Sequence, residues 1–178
     1  SCETPETRLE QSPSVGELAF SRRIPVRYET DVFVAGGGPA GIAAALAAAR
    51  QGASVFLAER NICLGGMGTA GMLPLFMSFG DGVNFLAAGI GSDIHKRLKQ
   101  AGGTGPGSDV TIRGEVLKRV YDEMLLEARV RFLFHTGLVA VEADAGKVSA
   151  AILAGKTGLF AARAKVYLDC TGDGDLAA

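Results

Sequence analysis

Residues 31–41 read DVFVAGGGPAG, an apolar β-branched run that ends at three consecutive glycines and opens into an alanine-rich segment. Asp31–Ala35 has the look of a buried parallel strand, short, apolar and bounded by glycine. From Pro39 to Gln51 alanine, leucine and isoleucine dominate and Gly52 supplies a stop, which predicts a helix. Ala53–Ala58 then reads as a second strand. Together these segments make a βαβ unit with parallel strands and a right-handed crossover.

Gly36, Gly38 and Gly41 form GxGxxG where that pattern carries meaning, after a strand and at the opening of a helix. The first glycine permits the tight turn, the second lets a pyrophosphate approach the backbone, and the third lets helix and strand pack closely. Gly37 is the one this pattern leaves spare. Pro39 suits the first helical turn, where its missing N–H costs nothing, and Ala40 follows it. The helix start offers N–H groups and a partial positive charge to phosphates. Glu59, 23 positions after Gly36, closes the second strand where an acid can accept from a ribose diol and disfavour a 2′-phosphate, so NADP fits worst. A tight turn with a surface charge is the bland alternative. The full strand, helix, strand and acid context favours a dinucleotide.

Composition narrows the class. The 178 residues suit one ordinary domain; 48% are hydrophobic, 21% are charged and the formal net charge is −1, which gives no basic field for nucleic acid. The apolar stretch Ile42–Ala49 is far shorter than the roughly 20 residues that a membrane span requires. Cys2, Cys63 and Cys170 lie far apart without metal-ligand spacing, so neither a disulfide framework nor a metal site is indicated. A reducing, cytoplasmic location is the expectation, although an upstream signal already removed would leave no trace.

Residues 1–23 read as a polar arm and Ile24–Tyr28 as a short edge strand after it. Asn61–Gly82 reads as a long functional loop, Phe85–Gln100 and Arg113–Ala128 as helices, and 102–108 as a flexible connection. Strands are expected at Val130–Phe134, Leu138–Glu142, Val148–Leu153 and Leu159–Ala164, the later ones as an antiparallel meander over about 138–164, and a separate final strand at Lys165–Asp169. The expected class is α/β: a Rossmann-like parallel sheet flanked by helices, with residues 24–178 as the nucleotide-binding domain.

DVFVAGGGPAGIAAALAAARQGASVFLAER, then LGGMGTAGM, then VYLDCTGDGDLA, resemble in that order the FAD-dependent oxidoreductase family of the glutathione-reductase-like flavoprotein superfamily. The resemblance implies FAD as cofactor, with Gly36, Gly38, Pro39, Ala40 and Gly41 at its pyrophosphate and Glu59, with Arg60 beside it, at the adenosine ribose. Gly65 and Gly66, followed by Met67, are implied to lie along the phosphates and ribityl chain. Leu138 and Val139 are implied near adenine, and Thr171, Gly172 and Asp173 near the flavin. Read without the resemblance, TGDGD is equally a turn in which Asp173 or Asp175 caps a following helix.

The implied activity is hydride transfer between a small organic substrate and flavin. An NAD-dependent dehydrogenase or reductase, and a non-catalytic nucleotide-binding fragment that needs a second chain, are the alternatives. Members of the family usually continue past the Thr-Gly-Asp turn with a substrate domain. The expected partners are therefore a missing C-terminal portion or another copy of the chain, and an exposed apolar patch is expected where such a part docks. No catalytic acid or base is assigned. His95 reads as a solvated helix residue, His135 as structural and Cys63 as a buried thiol; Met67, Met72 and Met77 suit packing around either a ring or a core.

Overall fold

The computed structural model describes residues 16–77, 80–81, 83–84, 86–105 and 108–177. The βαβ unit is present in it as β1 (Val26–Ala35), α1 (Pro39–Arg50) and β2 (Val55–Ala58). After these come α2 (Ile90–Gln100), the short β3 (Thr104–Gly105) and β4 (Ser108–Ile112), α3 (Gly114–Glu127), β5 (Arg131–Leu133), β6 (Gly137–Asp144), β7 (Lys147–Gly155) and β8 (Gly158–Asp169). The main sheet has the order β5-β2-β1-β8-β7-β6. Its first four strands are mutually parallel, and β7 and β6 continue it antiparallel from β8.

The helices α1, α2 and α3 cover one face. From α1 come Ile42, Ala45 and Leu46, from α2 Ile94 and Leu98, and from α3 Leu117, Val120, Tyr121, Met124 and Leu125; they bury against Val32, Val34, Val55 and Leu57. The alternate side chains of the same strands, Phe33, Ala35, Phe56 and Ala58, face the other way into a second core with Ala151, Leu153, Phe160 and Ala162 of the meander. That is the period of two expected of strands buried on both faces. Tyr28 lies parallel over Phe56 at 3.8 Å between ring centroids within this layer.

The chain supplies its own cover for this second face. A flat six-stranded sheet would separate β5 from β6 by about 24 Å at roughly 4.8 Å per strand, yet only Phe134, His135 and Thr136 join them. Four Cα steps reach at most about 14 Å. The sheet therefore curls, carrying the meander back over the face that the helices leave free.

Several boundaries differ from those expected of the sequence. Ile24–Tyr28 is not a separate edge strand: β1 starts at Val26 and runs without a break, because Glu29 and Thr30 already pair with Arg163 and Ala164 of β8. Asp31 does not interrupt it, since its carboxylate accepts from the Ser54 amide and hydroxyl at 2.8 and 2.7 Å and pairs with Lys165 at 2.7 Å. The expected strands 159–164 and 165–169 are one strand, β8, whose outer half belongs to the meander and whose inner half belongs to the parallel sheet. Gly89, with φ of 69°, holds the start of α2 at Ile90, so that helix is shorter than 85–100; Phe85 lies outside the described residues. The connection 102–108 is partly strand, β3 against β4, and Pro74–Phe76 adds to β4 through Ile112 N–H to the Pro74 carbonyl and Phe76 N–H to the Val110 carbonyl. Of the polar arm, residues 16–23 are exposed and carry no regular structure, and residues 1–15 lie outside the described set.

Candidate functional site

The parallel strands end at one rim, and a cavity of about 820 Å³ opens there, within the size range of small-molecule and cofactor sites. Five separate stretches of sequence line it. Ala35, Gly36, Gly38, Pro39 and Ala40 come from the end of β1 and the start of α1, and Ala58, Glu59, Arg60 and Asn61 from the end of β2. Thr136, Gly137 and Leu138 lead into β6, and Asp169 to Asp173 with Asp175 leave β8. Gly66, Met67, Ala70 and Gly71 close one side.

The glycines of the first turn stand in different steric surroundings. Gly36 has φ of +95°, and a Cβ there would overlap the carbonyl of Cys170 where β8 leaves the sheet. A Cβ on Gly41 would overlap the Gly36 carbonyl, so this glycine sets the approach of α1 to the strand and lies outside the cavity. A Cβ on Gly38 would meet nothing within 4 Å; it would project into the open space. Gly38 is also the N-cap of α1, which carries no side-chain cap and no acid in its first turn. The unpaired N–H groups of a helix start thus face the cavity with their partial positive charge.

Gly37 is not spare. Its N–H donates to Glu59 Oε2 at 2.6 Å, its carbonyl accepts from the Gly65 amide at 2.8 Å, and a Cβ would stand 2.7 Å from Leu64 Cδ2. The second glycine pair is split in the same manner. Gly65 lies outside the lining, packed so that a Cβ would meet Thr69 and Tyr121, whereas Gly66 faces Gly38 with its Cβ position 3.2 Å from that Cα. Glu59 is 4% exposed, and its carboxylate also accepts from the backbone and side-chain amides of Asn61, both at 2.7 Å.

Val139 does not reach the cavity. The β6–β7 register slips between Leu138 and Ala140, so Val139 is the extra residue of a bulge and is 55% exposed while Leu138 lines the site. At the other wall the amides of the TGDGD turn, among the described residues, go to Asp169 and Thr171 rather than to Asp173 or Asp175. Asp169 accepts from Thr171 N–H and hydroxyl and from the Leu176 and Ala177 amides, and Thr171 Oγ1 accepts from the Gly174 and Asp175 amides. Burial alone would raise the Asp169 carboxyl, but these hydrogen bonds outweigh it and hold it below the usual carboxylate value. Burial, helped by the Asp169 charge, pushes the Cys170 thiol up, which makes it a poor nucleophile at neutral pH. The reading of the sequence passed over Asn61, Thr136, Asp169 and Cys170; their signal was proximity to the strand ends.

Met72 and Met77 are 83% and 81% exposed, which removes the core reading for both, and Met67, 63% exposed, borders the cavity. Cys63 is buried. His135, with φ of 49°, turns the chain between β5 and β6 and donates its N–H to the Asn61 carbonyl. Arg60 is the one cation of the lining among the described residues, against Glu59, Asp169, Asp173 and Asp175. A pyrophosphate here would depend on backbone N–H groups and the α1 dipole more than on side-chain charge. The residues fit such a group, because the bare Cα atoms of Gly38 and Gly66 leave a cradle that a Cβ on Gly38 would enter. Among the described residues no cluster of metal-ligating side chains occurs, and no helix is long and apolar enough to cross a membrane.

Comparison with known proteins gives this geometry its class. The family described as FAD dependent oxidoreductase matches residues 31–178, and the chain belongs to that family; FAD is its cofactor. Among solved structures it is similar in fold to THI4 of Thermovibrio ammonificans, at 18% identity and a TM-score of 0.57, covering 83% of this chain and 60% of that one. A geranylgeranyl bacteriochlorophyll reductase-like protein from Thermoplasma acidophilum gives 19% identity and a TM-score of 0.56, covering 80% of this chain and 39% of that one. The myxobacterial chondrochloren halogenase CndH, a FAD-dependent halogenase, gives 16% and 0.58, covering 81% and 37%. The chain thus spans between about a third and three fifths of the length of these proteins. No curated protein matches it in sequence.

Proposed function

We propose that residues 24–178 form the FAD-binding unit of an oxidoreductase that moves hydride between a small organic molecule and flavin. The observation that carries this reading is the pairing of the uncapped α1 N-terminus with open space at Gly38, at the rim where Glu59 and the Thr171–Asp173 turn also meet. When bound, FAD supplies the two-electron chemistry. The chain's own residues bind and orient. The Gly36–Gly41 turn and the first turn of α1 take the pyrophosphate, Glu59 accepts from the adenosine ribose, and Arg60 lies beside it. Gly66 and Met67 flank the phosphates and ribityl chain, Leu138 borders the adenine end, and Thr171, Gly172 and Asp173 border the flavin end. Gly41 and Gly65, outside the lining, support this arrangement by the close approach of Gly41 to the Gly36 carbonyl and the Gly65 N–H to the Gly37 carbonyl, while Val139 lies outside it.

The test is titration of the chain with FAD, read by quenching of flavin fluorescence, with NADH and NADPH as competitors. Saturable binding of one FAD, unaffected by either competitor, and bleaching of the blue flavin absorbance when small organic donors are added without oxygen are expected. Displacement of FAD by NADH would favour the nicotinamide reading. Tight FAD binding without reduction by any donor would restrict this chain to a binding role.

A further inference from the structure

The most densely hydrogen-bonded side chain at the β2 end of the cavity is Glu59, and its partners divide unequally between its two oxygens. Oε1 accepts from both Asn61 N–H and Asn61 Nδ2, each at 2.7 Å, and Oε2 accepts from Gly37 N–H alone, at 2.6 Å. A carboxylate offers about four lone-pair positions. Three are taken and the fourth, on Oε2, is the position left for a ligand. Asn61 is itself held: its carbonyl accepts from His135 N–H at 3.1 Å, and the neighbouring Glu59 carbonyl accepts from Thr136 N–H at 2.9 Å. Both Glu59 and Asn61 line the cavity, so the arrangement belongs to the site wall.

Resting on the FAD reading above, we infer that Asn61 is a positioning residue of the nucleotide site. Its two donors saturate Oε1, fix the rotation of the Glu59 carboxyl and leave the free lone pair of Oε2 to accept from a ribose hydroxyl. Without the Asn61 side chain the carboxylate keeps the Gly37 and residue-61 backbone N–H groups but loses the Nδ2 donor, so Oε1 regains an open lone pair that competes with Oε2 and the carboxyl is free to rotate. Asn61 therefore determines how strongly the site distinguishes a ribose that carries its hydroxyls from one that lacks them. A site built around a hydroxyl rejects the analogue without it because a buried acceptor is then left unpaired. With Glu59 only 4% exposed, little water is at hand to take that place.

The experiment compares ADP with 2′,3′-dideoxy-ADP as competitors for FAD on the full chain. The wild type should prefer ADP by about tenfold or more, in keeping with a charged hydrogen bond. Asn61→Ala should bring that preference to within about threefold, mainly by weakening ADP. A second variant guards against a folding defect. Asn61→Asp keeps the shape but sets a second carboxyl against Oε1, so ADP binding should be weak at pH 8 and recover about fivefold or more by pH 5.5, as the two groups come to share a proton. The other charged and titratable groups of the cavity wall, Arg60, Asp169, Cys170, Asp173 and Asp175, with His135 beside Thr136, are all present in the wild-type control run over the same pH range. The inference is overturned if Asn61→Ala retains the wild-type preference or weakens both nucleotides equally, or if Asn61→Asp follows the wild-type pH profile. Failure of the wild type to bind FAD at all would overturn the underlying FAD reading, and so is distinguishable from either result.

Discussion

Adjacent glycines in the first turn are expected to fail in opposite ways. Gly38→Val places its side chain in open space, so thermal stability should stay within about 1 kcal/mol of wild type while FAD retention is lost. Gly37→Ala drives a Cβ toward Leu64 and Glu59 and should cost about 1–3 kcal/mol, visible as a lower melting temperature in the FAD-free protein. Melting curves with and without FAD separate the two; a Gly38→Val protein that keeps full flavin occupancy would contradict the placement. The spacing of GxGxxG, which encodes the ligand-facing turn, made Gly36, Gly38 and Gly41 legible. It carries no information about a side chain returning 22 positions later, so the role of Gly37 came only from Glu59. Asp169 was hidden because it reads as the last residue of a strand, whereas it gathers the amides of the turn beyond it. Its folded carboxyl lies below the ordinary value. The stability it contributes is therefore complete above the unfolded pKa of about 3.9 and is lost as the pH falls through the lower folded value. Between pH 5 and pH 3 the wild-type melting temperature should fall more steeply than that of Asp169→Asn, which starts lower.

At the scale of elements, α3 carries a defect that can be removed. Tyr121 is fully buried, yet its hydroxyl has no hydrogen-bond partner among the described residues, and desolvation pushes its pKa far above the usual tyrosine value. Tyr121→Phe removes the unpaired group and keeps the ring beside Gly65. A gain of about 1 kcal/mol is expected, or a rise in melting temperature of about 2–4 °C; a drop of that size would show that the hydroxyl has a partner. Helices were the legible elements. In α3 the apolar stripe Leu117, Val120, Met124 and Leu125 is buried as the 3.6-residue period requires. Strands were harder to delimit. The stretches 159–164 and 165–169, read as two strands, are one, and the middle of β8 carries the exposed residues Arg163, Lys165 and Val166. The bulge at Val139 defeats a reading by alternation, since one extra residue exchanges the two faces.

Across the whole molecule, the α/β class was readable from the order of elements alone, but the curl of the sheet was not. It follows from the three-residue link between two edge strands, a constraint that appears only once the strand order is known. Strand β8 has the central place in that order. It lies between β1 and β7, which otherwise share no ladder, and its exit supplies Asp169 to Asp173 to the cavity. Removal of residues 158–178 should therefore abolish FAD binding and cooperative thermal unfolding together, measured by flavin fluorescence and circular dichroism; retention of either would show that β1, α1 and β2 suffice. The position of β8 also sets an order of events during synthesis on the ribosome. The glycine turn emerges before β8, and β1 must wait with one edge unpaired until more than a hundred further residues have been made. A nascent chain therefore exposes a strand edge open to pairing with a neighbour throughout that interval, and cofactor capture is tied to the emergence of β8.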